Sequence, residues 1–289
     1  MPTRTALRVE TKGMLLGLLG VAIFSLTLPA TRVAVESLNP LFVGTGRAVV
    51  ASLLALIYLT AGRQRTPTRG ELKALVVVAL GVVLGFPIFT SLAMRHVDAS
   101  HGGVMLGILP LATAAAGFVF SRERPSPSFW VMASMGSALV IAFSIFKGAG
   151  TMQLADLLLL VAVLSAAIGY AIGARLTQTM GGLQVISWAL VISSPFLIVP
   201  MILYAPVTGH VSSAAWISFA YVSLASQFLG FLPWFKGLSL GGVARVGQTQ
   251  LLQPFLQLPL LHCCWAKWWM PPPWPLRSPY LVWSPSAGN

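Results

Sequence analysis

The sequence predicts an all-α integral membrane protein made of two inverted repeats of five transmembrane helices, with the tenth helix lost or altered. Three observations carry this. Of 289 residues, 56% are hydrophobic and only 8% charged, with a mean hydropathy of +0.84, whereas soluble domains are roughly 25% charged. The apolar residues fall into runs of about 20, the length a helix needs to cross hydrocarbon. A patterned stretch also occurs twice: Asp98 to Glu123 returns as GGVARVGQTQLLQPFLQLPLL, with Pro110 and Pro254 144 positions apart.

Taken in order, the spans are 13–33, 41–61, 73–94, 100–120, 129–146, 157–175, 184–205, 213–235 and 241–261. The segment Met1 to Lys12 is basic and polar, but the run after it is long enough to span and leads into others. It therefore reads as a retained first helix, not a cleaved leader. Residues 13–146 form the first repeat (helices 1–5) and 157–261 the second (helices 6–9). Residues 262–289 form an aberrant tail rich in Trp and Pro. Five spans per repeat is an odd number, so the second copy enters the bilayer upside down.

The net charge of +12 raises nucleic acid as a partner, but the basic residues sit in short gaps between apolar runs and form no face. They read as loops held on the cytoplasmic side. With the N-terminus inside, the cytoplasmic segments hold Arg4, Arg8, Lys12, Arg63, Arg65, Arg69, Lys73, Arg122, Arg124, Arg175, Lys236 and Arg245. The outer side holds Arg32, Arg47, Arg95 and Lys147. The expected partners are the lipid bilayer and a small-molecule substrate, with no nucleic acid.

Mid-helix prolines remove a backbone hydrogen bond, which lipid tolerates only where other helices or water satisfy the freed carbonyl. Paired, proline-broken helices at corresponding places of two repeats point to a binding site between the halves of a secondary transporter. Candidate cavity residues are Ser25, Thr27 and Thr31 on span one, Arg47 on span two, Thr90 and Ser91 on span three, and Pro110 on span four. Tyr170 on span six, Gln227 on span eight, and Gln248, Gln250 and Pro254 on span nine complete the set. Thr249 and Gln253 add to the polar density of span nine, where interhelical hydrogen bonding competes with substrate contact. For Arg47, snorkelling to the headgroups and a role in the cavity are both open. Glycines four apart, as in Gly13 and Gly17, Gly81 and Gly85, Gly103 and Gly107, or Gly169 and Gly173, allow close helix packing.

Other chemistry is thin. No acidic residue falls at mid-membrane, so a carboxylate proton relay has no seat. His96 and His101 read as loop histidines with no ligand-spaced Cys or Glu, giving no metal site. No P-loop, Rossmann fingerprint, serine elbow or HExxH occurs, no cofactor is expected, and adjacent Cys263 and Cys264 suggest no disulfide framework. An enzyme would need convergent titratable groups at one depth. The alternatives to transport are a non-transporting membrane scaffold or an inactive truncated paralogue.

The chain resembles the drug/metabolite transporter superfamily of the EamA-like kind, with ten helices in two five-helix repeats. The residues carrying the likeness are Ala99-Ser100-His101-Gly102-Gly103, Pro110-Leu111 and the closing Glu123. Gly247-Gln248 and Leu251-Leu252-Gln253-Pro254 match in the second copy, and Arg47 matches an arginine near the start of the family's second helix. The likeness covers residues 13 to about 255. It implies a multi-pass protein of the bacterial inner membrane that exports small metabolites, amino acids or drugs. The first span departs from the family in lacking a tryptophan-glycine start.

The tail breaks the pattern. Trp265, Trp268, Trp269, Trp274 and Trp283 crowd the last 25 residues beside Pro271-Pro272-Pro273, and no helix of 20 residues passes through such a run. Reading each codon one base earlier turns Cys263, Cys264 and Trp265 into leucine, Ala266 into glycine, and Lys267 into glutamate, lysine, glutamine or a stop. Trp268 becomes methionine or valine, and Trp269, Met270 and Pro271 become valine, aspartate and alanine. Lys267 lies 144 positions after Glu123, where the repeat expects a second closing glutamate. The tail thus reads as a shifted frame, set against a genuine interfacial Trp/Pro segment. As written, it leaves one helix face open to lipid or to a second copy, as in a homodimer.

Overall fold

A computed structural model describes residues 4–146, 154–206 and 211–256. The end of the ninth expected span, the tail 262–289 and the shifted-frame residues lie outside them. The described residues are helical throughout, with short joins and no strand. We number the helices α1 (Arg8–Ser37), α2 (Pro40–Ala61), α3 (Arg69–Met94) and α4 (Ala99–Phe120), then α5 (Pro127–Phe146). They continue as α6 (Leu154–Met180), α7 (Gly182–Leu203) and α8 (Ser213–Gly241), and α9, from Val243 to the limit of description at 256. Seven of them are long and apolar enough to cross a membrane among the described residues, and α5 is a further apolar helix of 20 residues.

The prolines determine where these helices depart from α geometry. Pro110 has no N–H to give the Leu106 carbonyl, and Leu109 donates to that carbonyl instead, tightening Leu106–Ile108 into a 3₁₀ turn. In α9 the same substitution recurs: Pro254 leaves the Gln250 carbonyl to the N–H of Gln253, after a 3₁₀ segment at Gln248–Leu252. The α3 and α8 helices open in the other direction. Ala79–Gly85 is a π segment closed by Phe86 N–H on Gly81 O, just ahead of Pro87. Val222–Leu229 is another, with Gly230 N–H on Ala225 O, ahead of Pro233. The 3₁₀ turn of α4 and the π segment of α3 thus each have a counterpart of their own kind, in α9 and α8.

Close approach is bought with glycine. A Cβ on Gly237 of α8 would lie 2.7 Å from the backbone nitrogen of Gly17 on α1, and one on Gly81 of α3 would lie 2.5 Å from the Ser165 carbonyl of α6. Backbone cannot yield as a flexible side chain can, so α1 packs on α8, and α3 on α6, at small-residue seams. The α2 helix packs along α7.

Helix α4 crosses α9 antiparallel. The Cβ position of Gly117 faces Val243 and that of Gly247 faces Thr113, so contacts climb α4 as they descend α9. Glu123, just past α4, closes this seam: Oε1 accepts from Val243 N–H (2.5 Å) and Oε2 from Ala244 N–H (2.7 Å). These are orphan donors of the first turn of α9, which Gly242, at φ 87°, turns toward the carboxylate. Arginines serve carbonyls at helix C-termini in the same way. Arg32 on α1 donates to Met94 O at the end of α3 (2.6 Å), and Arg95 donates back to Val35 O near the end of α1 (2.5 Å). Charge-assisted bonds of this kind contribute roughly 1.5–3 kcal/mol. Glu123→Ala is expected to lower stability by about that range while Glu123→Asp loses less, as read by thermal unfolding in detergent.

Candidate functional site

Where the π segments of α3 and α8 meet the 3₁₀ turn of α4, the helices leave a small cavity of about 20 Å³. Every described helix except α5 and α7 contributes to its wall. Its polar side chains are Thr27, Arg47, Tyr170, Ser226, Gln227 and Gln253, and its apolar ones are Phe24, Val82, Phe86, Leu106, Leu109 and Phe231. Trp234, fully buried, stands edge-on to two of the lining rings, Tyr170 (ring centroids 5.2 Å) and Phe24 (6.1 Å).

Arg47 dominates the site. It is the eighth residue of α2, about 10 Å along the axis from the helix start, and only 1% of it is exposed. That exposure rules out snorkelling: the guanidinium turns inward. Its Nη2 donates to Ser226 Oγ (2.8 Å), and Ser226 shares a second hydrogen bond with Thr27 Oγ1 (2.8 Å). Nε and Nη1 have no hydrogen-bond partner. None of the residues lining the cavity is acidic.

Each of the neighbouring amides gives one N–H to a backbone carbonyl. Gln227 Nε2 donates to Val82 O (3.1 Å), a carbonyl inside the opposing π segment, so the two irregular stretches are tied to each other directly. Gln253 Nε2 donates to Phe24 O (3.3 Å). Widening a helix to a π turn displaces carbonyls from their usual partners, and here a side-chain amide from another helix takes one of them.

Of the residues expected from the sequence, Thr27, Arg47, Tyr170 and Gln227 come together on this wall, and Ser25, Thr31, Thr90 and Ser91 do not. The hydroxyls of Ser25, Thr31 and Thr90 bond back to carbonyls of their own helices, at Ala22, Thr27 and Phe86. Ser91 is buried with its hydroxyl unpartnered. Gln250 accepts from Thr113 (3.3 Å) and Gln248 reaches the Pro110 carbonyl (3.5 Å), so both stitch α9 to α4, and Pro110 and Pro254 shape those helices from outside the wall.

Ser226 was missed. Its signal in the sequence is only adjacency to Gln227 on an apolar span. His101 corrects the sequence reading: it lies in the first turn of α4, not in a loop, with Nε2 2.5 Å from Oδ1 of buried Asp156 on α6. The pair joins two distant segments, which spacing along the chain does not reveal. Among the described residues no cluster of His, Cys, Asp or Glu suits a metal ion.

The sequence pattern of the EamA-like transporter family matches residues 11–146 and again 153–268. The chain belongs to the EamA-like transporter family. It is similar to the uncharacterized transporter YdeK of Bacillus subtilis (strain 168), 45% identical over 249 residues, covering 86% of this chain and 87% of that one. It is more distantly similar to the uncharacterized transporter YdfC of the same organism, at 22% identity over 218 residues, covering 74% of this chain and 68% of that one. A solved structure, titled only as the crystal structure of a protein, shares the fold with a TM-score of 0.69 at 17% identity, over 88% of this chain and 89% of that one. The described helices are thus those of a multi-pass membrane transporter family.

Ser226 is the single hydrogen-bond acceptor found for the Arg47 side chain. Ser226→Val of this EamA-like protein removes it and is expected to cost about 1–3 kcal/mol, the penalty of stranding a buried polar group. Ser226→Thr keeps the oxygen and most of the stability. Thermal unfolding of the two purified variants checks this.

Proposed function

We propose that this EamA-like protein is a secondary transporter that exports a small metabolite, amino acid or drug by alternating access around the Arg47 cavity. The reading rests chiefly on one observation: the cavity lies where the broken helices of both halves converge, with Gln227 of one π segment bonded to Val82 of the other. The two halves would be residues 13–146 and 157–261, related by inversion. The double match to the family pattern supports the division. The antiparallel crossing of α4 and α9 supports the inversion, because these are corresponding helices of the two copies and run in opposite directions. Seams that exchange under such an operation, α1 with α8 and α3 with α6, are both built on glycine. A bacterial relative and the distribution of basic residues favour the inner membrane with the N-terminus in the cytoplasm.

Catalysis has less to work with than transport. The cavity offers one cation, hydroxyls and amides, with no nucleophile and base in reach of each other. A scaffold has no use for a buried, half-satisfied guanidinium. Efflux from everted vesicles across a broad metabolite panel decides: gradient-dependent flux of at least one compound is expected, and none across the panel would sink the reading.

Two variants test the moving parts. Pro110→Ala and Pro254→Ala let the 3₁₀ turns relax toward regular helix and are expected to slow transport several-fold while leaving expression near the parental level. Parental flux in both would make the breaks mere packing features. For the tail, restoring the earlier reading frame between Phe255 and His262 is expected to raise the folded yield and transport and to place the C-terminus in the cytoplasm. A gene sequence with no aliphatic-rich alternative frame ending in a plausible stop would refute the shift.

A further inference from the structure

We propose that Arg47 is a carboxylate subsite, that the solute is a small organic anion with an apolar body, and that the membrane potential drives its exit without a coupled ion. This rests on the cavity being the transport site. A guanidinium carries five N–H donors in a planar fork that fits a carboxylate two bonds at a time. Here Nη2 engages Ser226, while Nε and Nη1 engage nothing although Arg47 is 1% exposed. A cation taken out of water is tolerated when it is paired, and no acidic residue on the wall pairs with it. The second hydrogen of Nη2, with the free N–H of the nitrogen on its own side of the fork, offers two parallel donors. Ser226 accepts from the guanidinium and is itself held by Thr27.

The rest of the wall defines the body of the anion. Gln227 and Gln253 each give one amide N–H to a backbone carbonyl, Val82 O and Phe24 O, which fixes the orientation of both side chains on the wall. Phe24, Phe86, Leu106, Leu109 and Phe231 surround the space with aromatic and branched aliphatic groups, suited to a solute whose remainder is apolar. An ammonium group on the solute would find no acidic partner on this wall.

Direction follows from charge. Each cycle carries one negative charge outward, and a cell negative inside favours that by about 2.3 kcal/mol per 100 mV, an outside-to-inside ratio of about fiftyfold. Such a carrier needs no proton site, and the described spans place no carboxylate on the cavity wall.

The test uses the full chain, as written and with the earlier frame restored, in proteoliposomes under a valinomycin potential. The probes are N-acetylphenylalanine (anion), N-acetylphenylalaninamide (neutral), phenylalaninamide (cation) and phenylalanine (zwitterion), with protein-free vesicles as the blank. The anion is expected to move fastest, to accumulate on the positive side in proportion to the potential, and to raise the melting temperature of the detergent-solubilised protein, which the amide does not. Arg47→Gln is expected to lose the anion flux roughly ten- to a hundredfold, and Arg47→Lys to recover part of it. Should Arg47→Gln fail to fold, the comparison of anion with amide in the parental protein still decides. Equal flux of amide and anion, or zwitterion flux at the anion's rate with no response to voltage, overturns the inference and leaves the transport reading intact. Flux of none of the four, combined with flux of other compounds from the metabolite panel, also overturns it alone. Silence across both sets overturns both readings.

Discussion

A backbone in hydrocarbon must satisfy its own hydrogen bonds, and the irregular features of this bundle are answers to that demand. Each proline deletes one donor. In α4 and α9 the preceding residue shifts its N–H by one carbonyl and the helix tightens. In α3 and α8 the turn ahead of the proline widens instead, and Gln227 crosses to collect a carbonyl left over. Tight turns and wide turns change helix diameter in opposite senses, and between them a space remains that close-packed regular helices would have filled. The cavity is in this sense a by-product of proline chemistry.

Much of the fold was legible because membrane helices announce themselves by length and hydropathy, and because a repeat doubles every signal. The 144-residue shift that aligns Pro110 with Pro254 also aligns the 3₁₀ turns, since the same missing donor forces the same rerouting. The π segments were not legible. Their cause, a proline two to four residues downstream, also fits a simple kink, and only the carbonyl partners distinguish the two. Span ends moved as well: α9 opens at Val243 because Gly242 adopts a left-handed conformation, which hydropathy does not record.

The site was harder to read than the fold for a plain reason. A hydroxyl on a transmembrane helix can satisfy itself on the preceding turn, and Ser25, Thr31 and Thr90 do so. Type and depth alone do not separate such residues from Thr27, whose partner is on another helix. Arg47 stood out in the sequence as a charge in an apolar span, and burial resolved its two readings because a snorkelling arginine stays wet. By sequence, Arg32 and Arg95 read as exceptions to the charge bias along the chain. Arg32 and Arg95 turn out to close each other's helices, so carbonyl chemistry accounts for their positions without reference to topology.

Glu123 belongs by sequence to the first family match, yet the donors it serves belong to the second. Severing the chain between the two matched stretches would therefore leave this clasp to be closed between separate pieces. The carboxylate makes the docking of the first stretch depend on the presence of the second.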